Sequence, residues 1–139
     1  MGHIAEIKVR PTVVLADDHA RILERVTKLL NPGFDVVATV SDGWMALQTC
    51  MRLSPEIAVF DIAMPEIDGI HAARALRRVG CSTRIVFLTV QDDADYIAAA
   101  LEVGAHGYVL KCRLQSDLIP ALQHALADHA FVSPALVGG

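Results

Sequence analysis

The chain has 139 residues, 53% of them hydrophobic, with 16 Asp and Glu against 12 Lys and Arg for a formal net charge of −4. That is long enough for one domain with its own core, and the scattered basic residues give no electrostatic footprint for nucleic acid. Cys50, Cys81 and Cys112 are odd in number and lack C-x-x-C spacing, which argues for reduced thiols rather than disulfides or a zinc site. No apolar run approaches the roughly 18 residues of a membrane span, no signal-peptide core precedes the first strand, and a myristoylation signal would need Ser or Thr where Glu6 stands. A soluble, cytoplasmic protein is expected.

Residues 1–10 carry weak alternation at Ile4, Ile7 and Val9 and read either as a lead-in or as an extension foreign to the domain. Pro11 to Ala16 is a short buried strand ended by Asp17-Asp18-His19. The helix that follows from about Ala20 carries Ile22, Val26, Leu29 and Leu30 on one stripe and stops at Asn31-Pro32-Gly33. Phe34 to Val40 is a second strand; Ser41 or Asp42 caps a helix with Ala46, Leu47, Cys50 and Leu53 inward. Ile57-Ala58-Val59-Phe60 is a continuous apolar run, the mark of a strand buried on both faces, and it ends on the carboxylate of Asp61. From Gly69 a helix buries Ala72, Ala73, Leu76 and Val79 and turns Arg74, Arg77 and Arg78 to solvent. Arg84 to Thr89 is the fourth strand. Asp92 and Asp93 suit the start of an alanine-rich helix that ends at Gly104. Gly107 to Lys111 is the fifth strand, and Ser116 caps a last helix that tolerates Pro120 only if that residue falls near its first turn. Five βα units predict an open five-stranded parallel sheet, doubly wound, with helices on both faces.

In such a sheet ligands bind outside the carboxyl ends of the strands. Here those ends carry Asp17 and Asp18, Asp61, Thr89 and Lys111. Each has an ordinary explanation: an aspartate can cap a helix or begin a turn, Thr forms strands well, and a terminal Lys commonly points into water. Together they place three carboxylates, a hydroxyl and an ammonium along one edge. Clustered carboxylates repel unless a cation is present, and an all-oxygen set suits Mg²⁺. With a metal and Lys111 neutralising phosphoryl oxygens and Thr89 donating a hydrogen bond, Asp61 can attack a phosphoryl donor and hold the acyl phosphate. No P-loop, dinucleotide fingerprint or Ser/His/Asp order accompanies these residues.

The set Asp17-Asp18-His19, Asp61 with Met64-Pro65 and Asp68-Gly69, Thr89, and Gly104 to Lys111 resembles the response-regulator receiver domains of bacterial two-component systems, whose fold is flavodoxin-like. The resemblance runs from about Thr12 to Leu126. It implies Asp61 as phosphoacceptor, Asp18 as a direct Mg²⁺ ligand and Asp17 acting mostly through water, with the backbone carbonyl of Ala63 completing the protein ligands and Mn²⁺ as a substitute ion. It further implies Lys111 as partner of the phosphoryl group, Thr89 and Tyr108 as a switch pair, and Ala63 and Gln91 as residues that tune hydrolysis. Cys112 replaces a proline common after the lysine, and Val90 is bulkier than the small residue common after the threonine.

The Asp-Asp-His opening and the Gly-Tyr-Val-Leu-Lys strand look most like receivers of the NarL type, which feed a LuxR-like helix-turn-helix. The expected layout is an extension over 1–10, a receiver over 11–128, and from 129 to 139 the start of a linker to an output domain that this sequence lacks. The expected function is a phosphoacceptor switch, not an enzyme beyond its self-catalysed phosphorylation and dephosphorylation. Its partners would be a histidine kinase, a second copy on phosphorylation, and DNA only through that output domain, with no membrane. Two other readings stand beside it: a constitutive interaction module, and an aspartate-nucleophile phosphatase, which would place a second Asp where Ala63 stands.

Overall fold

The computed structural model describes residues 9–90 and 94–133. The elements alternate through β1 (Thr12–Ala16), α1 (Ala20–Leu30), β2 (Asp35–Val40), α2 (Gly43–Leu53), β3 (Ile57–Asp61), α3 (Gly69–Arg78), β4 (Arg84–Thr89), α4 (Ala94–Glu102), β5 (Gly107–Leu110), α5 (Leu114–Leu126) and β6 (Phe131–Val132). The parallel sheet runs β2-β1-β3-β4-β5-β6. The order reverses between β1 and β3, which makes the crevice above those strands the switch point of a flavodoxin-like sheet.

Two apolar layers sandwich the sheet because successive strand residues point to opposite faces. Phe60, Phe87 and Tyr108 enter one layer with Ala46, Cys50, Ala73 and Leu76 of α2 and α3. Val59, Val86, Leu88 and Val109 enter the other with Val26 and Leu30 of α1 and Leu118 and Leu122 of α5. All five residues of β3 are buried, as a central strand covered on both faces must be.

Several local expectations are corrected. A sixth strand extends the sheet: Phe131 and Val132 pair in parallel with Gly107 and Tyr108, the Ser133 N–H donates to the Tyr108 carbonyl at 3.0 Å, and the Leu110 N–H donates to Ser133 Oγ at 3.2 Å. The segment read as the start of a linker is therefore partly built into the domain. Leu53 and Val79 face solvent, each falling at the end of its helix where the stripe has rotated off the core. Arg77 is not on a wet face: its guanidinium returns to the carbonyls of Cys81 and Thr83, at 3.2 and 2.8 Å. Lys111–Arg113 forms a 3₁₀ turn, so α5 starts at Leu114 and its cap position is Arg113, not Ser116. Pro120 consequently sits inside the helix; the carbonyl it leaves without a donor belongs to exposed Ser116, where water can reach it. Asp42 does cap α2, accepting from the Met45 N–H at 2.7 Å, and among the described side chains of α4 only Ala100 is buried. Gln91, Asp92 and Asp93 lie outside the described residues. Among those described, no helix is long and apolar enough to cross a membrane.

Candidate functional site

The strand registers bring the loaded residues to one level. Phe60 pairs with Ala16 and with Phe87, Asp61 with Leu88, and Thr89 with Leu110, so Asp17, Asp61, Thr89 and Lys111 all fall at the carboxyl edge of the four central strands. Each is nearly inaccessible, with 1%, 4%, 5% and 7% of its surface exposed, because the apolar runs below and the loops around it seal the edge. Neither Asp17 nor Asp18 caps α1. The cap position is His19, and its side chain makes no capping bond, which removes the ordinary explanation for the acidic pair.

Helix α3 sets the floor of the site. Its cap Asp68 accepts from the His71 N–H at 2.8 Å, and its first residue, Gly69, donates to the Ile62 carbonyl at 2.8 Å. A Cβ at Gly69 would overlap the Asp61 carbonyl, so only glycine lets the helix begin directly beneath β3. The loop between them passes through Glu66 at φ 72° and brings the Ala63 N–H to Asp61 Oδ1 at 3.3 Å.

Within the site Lys111 Nζ lies 2.7 Å from Asp17 Oδ2 and 3.1 Å from Asp61 Oδ2. His19 Nδ1 lies 2.9 Å from Asp17 Oδ1, 3.2 Å from Asp18 Oδ1 and 3.9 Å from Asp61 Oδ2. Burial above all, and then the charge of Asp17, pushes the Asp61 carboxyl up to about 6; the Lys111 ammonium and the Ala63 N–H oppose that rise without cancelling it. The ligand atoms of Asp17, Asp18, His19 and Asp61 all lie within 4.8 Å of one another, a donor set able to hold a divalent cation.

A cleft of about 90 Å³ opens over Asp61, lined by His19, Ile62, Ala63, Thr89, Val90, Tyr96 and Lys111. Val90 is at its mouth but 74% exposed, so its bulk is turned largely to solvent. The sequence reading did not assign His19 or Tyr96 to the site. His19 was part of the Asp-Asp-His motif but carried no role at the site, and Tyr96 was marked by nothing, since its place depends on where α4 docks. Tyr108 and Thr89 face the same layer of the molecule, and Tyr108 is 1% exposed, a core aromatic whose ring is already inside.

Fold and site together define an α/β protein with an acidic, lysine-closed pocket at the switch point of a flavodoxin-like sheet. The sequence profile of the response regulator receiver domain matches residues 13–123, and the chain belongs to that family. It is 33% identical to the nitrate/nitrite response regulator protein NarL of Escherichia coli (strain K12), over 90% of this chain and 59% of that protein. Among solved structures it is similar to a LuxR-family two-component response regulator from Aurantimonas sp. SI85-9A1, with TM-score 0.87, 30% identity and 94% of each chain covered. It is also similar to the isolated receiver domain of RcsB from Salmonella enterica serovar Typhimurium in the presence of phosphomimetic BeF₃⁻, with TM-score 0.85, 25% identity, and 94% of this chain and 98% of that one covered. The chain spans about half to three fifths of the length of the curated relatives it matches.

Proposed function

We propose that the chain is a phosphorylation-dependent signalling switch in which Asp61 takes a phosphoryl group from a histidine kinase. The observation that carries this reading is the setting of Asp61: a carboxylate at the end of a fully buried strand, 3.1 Å from an ammonium and opening into a small cleft. Asp61 attacks phosphorus as the donor's N–P bond breaks, and the departing imidazole keeps the electron pair and takes up a proton. Lys111 moves from pairing carboxylates to pairing phosphoryl oxygens, and the Thr89 hydroxyl donates to another. Asp18 and Asp61, with the Ala63 carbonyl and with Asp17 through water, would hold Mg²⁺, or Mn²⁺ in its place. That ion supplies neutralising charge for the transferring group. Ala63 and Gln91, two residues beyond Asp61 and Thr89, would tune hydrolysis of the acyl phosphate, and beyond this self-catalysed chemistry the protein is not an enzyme.

Thr89 and Tyr108 would transmit the phosphoryl state to α4, β5 and α5, favouring self-association. In a longer protein with a DNA-binding domain beyond this receiver, that change would reach transcription, as the names of the relatives suggest. Residues 1–10 would then be an extension, 11–128 the receiver, and the residues after 128, which include the edge strand β6, the way to that domain, all in the cytoplasm. One observation favours a second reading, the constitutive module: the Tyr108 ring is already buried. Mass spectrometry after incubation with Mg²⁺ and acetyl phosphate tests the first. The wild type gains one phosphoryl group and Asp61→Asn gains none; equal labelling of the two would sink the assignment. Beryllofluoride that binds stoichiometrically yet changes neither the dimer fraction nor the Tyr108 NMR signals would favour the constitutive module.

A further inference from the structure

His19 is drawn into the acidic cluster by a turn closed on Asp17. Its backbone N–H donates to Asp17 Oδ1 at 2.8 Å, and this turn delivers the ring so that Nδ1 meets the same oxygen at 2.9 Å. Nδ1 then stands 3.2 Å from Asp18 Oδ1, 3.9 Å from Asp61 Oδ2 and 3.4 Å from Lys111 Nζ. One tautomer donates to Asp17, and the other accepts from Lys111. In an octahedron with metal–donor distances of about 2.0–2.1 Å, neighbouring donors are roughly 3 Å apart and opposite ones roughly 4 Å. The separations of Nδ1 from the Asp18 and Asp61 oxygens fall within that range, so a cation held by those two carboxylates, with Asp17 acting through water, would have the imidazole nitrogen within reach.

We propose that His19 is a nitrogen ligand of the divalent-cation site and tilts its preference towards ions that accept imidazole. Resting on the metal part of the function proposed above, this makes the site a mixed nitrogen and oxygen set. Carboxylate and water suit Mg²⁺, whereas imidazole suits the later first-row ions. The proton displaced from Nδ1 moves to Nε2 on a side chain that is 61% exposed, so water can satisfy it. His19 would thus set which ion fills the site, leaving the phosphoacceptor itself unchanged.

The test uses the full chain loaded with Mn²⁺ and read by electron spin echo envelope modulation. Wild type should show the ¹⁴N coupling of a directly bound imidazole, and His19→Ala and His19→Phe should lose it while retaining native circular dichroism. The ratio of Co²⁺ to Mg²⁺ affinity, measured by competition titration, should fall by about tenfold in both variants. Bound Mn²⁺ without nitrogen coupling in wild type, or coupling that survives both substitutions, would overturn the proposal while leaving the acidic metal site standing. Failure of wild type to bind Mn²⁺ or Mg²⁺ at all would overturn both.

Discussion

Asp61 is where burial and charge conflict most, and that conflict has a measurable sign. Its carboxyl is raised from 3.8 to about 6, first by burial and then by Asp17, so the folded chain binds a proton there more tightly than the unfolded chain does. The resulting stability is fully present below about 4 and is lost as pH rises through about 6. In chelator-treated buffer Asp61→Asn should therefore gain stability relative to wild type across that window. Allowing for solvent in the cleft and for the opposing Lys111, the gain should level off on the order of 1–2 kcal/mol. Urea midpoints at pH 4, 5, 6 and 7 check this; a constant difference between the two proteins would contradict it. Asp61 was legible in the sequence because a charge ending an apolar run has few reasons to be there. His19 was not, since its place follows from a turn closed by its own backbone N–H.

At the scale of elements, the first five β strands were readable almost to the residue, because their apolar runs and loaded ends coincide. Helix margins were less so. Arg77 shows why: helical periodicity put it on the outer face, but a long side chain can fold back, and this one reaches the carbonyls of Cys81, Thr83, Val103 and Gly104. It ties the end of α3 to the turns before β4 and β5. Arg77→Ala should cost on the order of 1–3 kcal/mol, since partly buried carbonyls lose a charged donor. Arg74→Ala, by comparison, should stay within about 0.5 kcal/mol. Urea denaturation of the two variants separates a structural arginine from a solvated one; equal midpoints would deny Arg77 this role. The misplaced start of α5 has a similar origin. Ser116 looked like a cap, but its hydroxyl accompanies Asp117 beside Arg113, and the helix has already begun.

For the whole molecule, the doubly wound architecture followed from the alternation of short apolar runs and amphipathic stretches, and the receiver family from the residues at the strand ends. The sixth strand did not, because Phe131-Val132 is too short to stand out and gains its pairing only once β5 is in place. Truncation after Asp128 should uncover the outer edge of β5 and leave the Leu110 N–H without its buried Ser133 acceptor. A loss on the order of 2 kcal/mol is expected, with self-association through the bared edge. Urea melts and light scattering on the shortened chain would register both; unchanged stability and a monodisperse monomer would show that β6 contributes little.

Strand β6 also has a mechanical consequence. It is the last described element, lies at the rim of the sheet and runs parallel to β5, attached there by a few hydrogen bonds, whereas the strands further in are held on both sides. Tension applied beyond Ser133 would load those few bonds in shear before it reached the interior, so β6 would act as a fuse that yields first. In an optical trap with handles at the two ends of the chain, a short reversible lengthening should precede the cooperative rupture of the sheet. Its force would report how firmly the strand bearing Tyr108 is held.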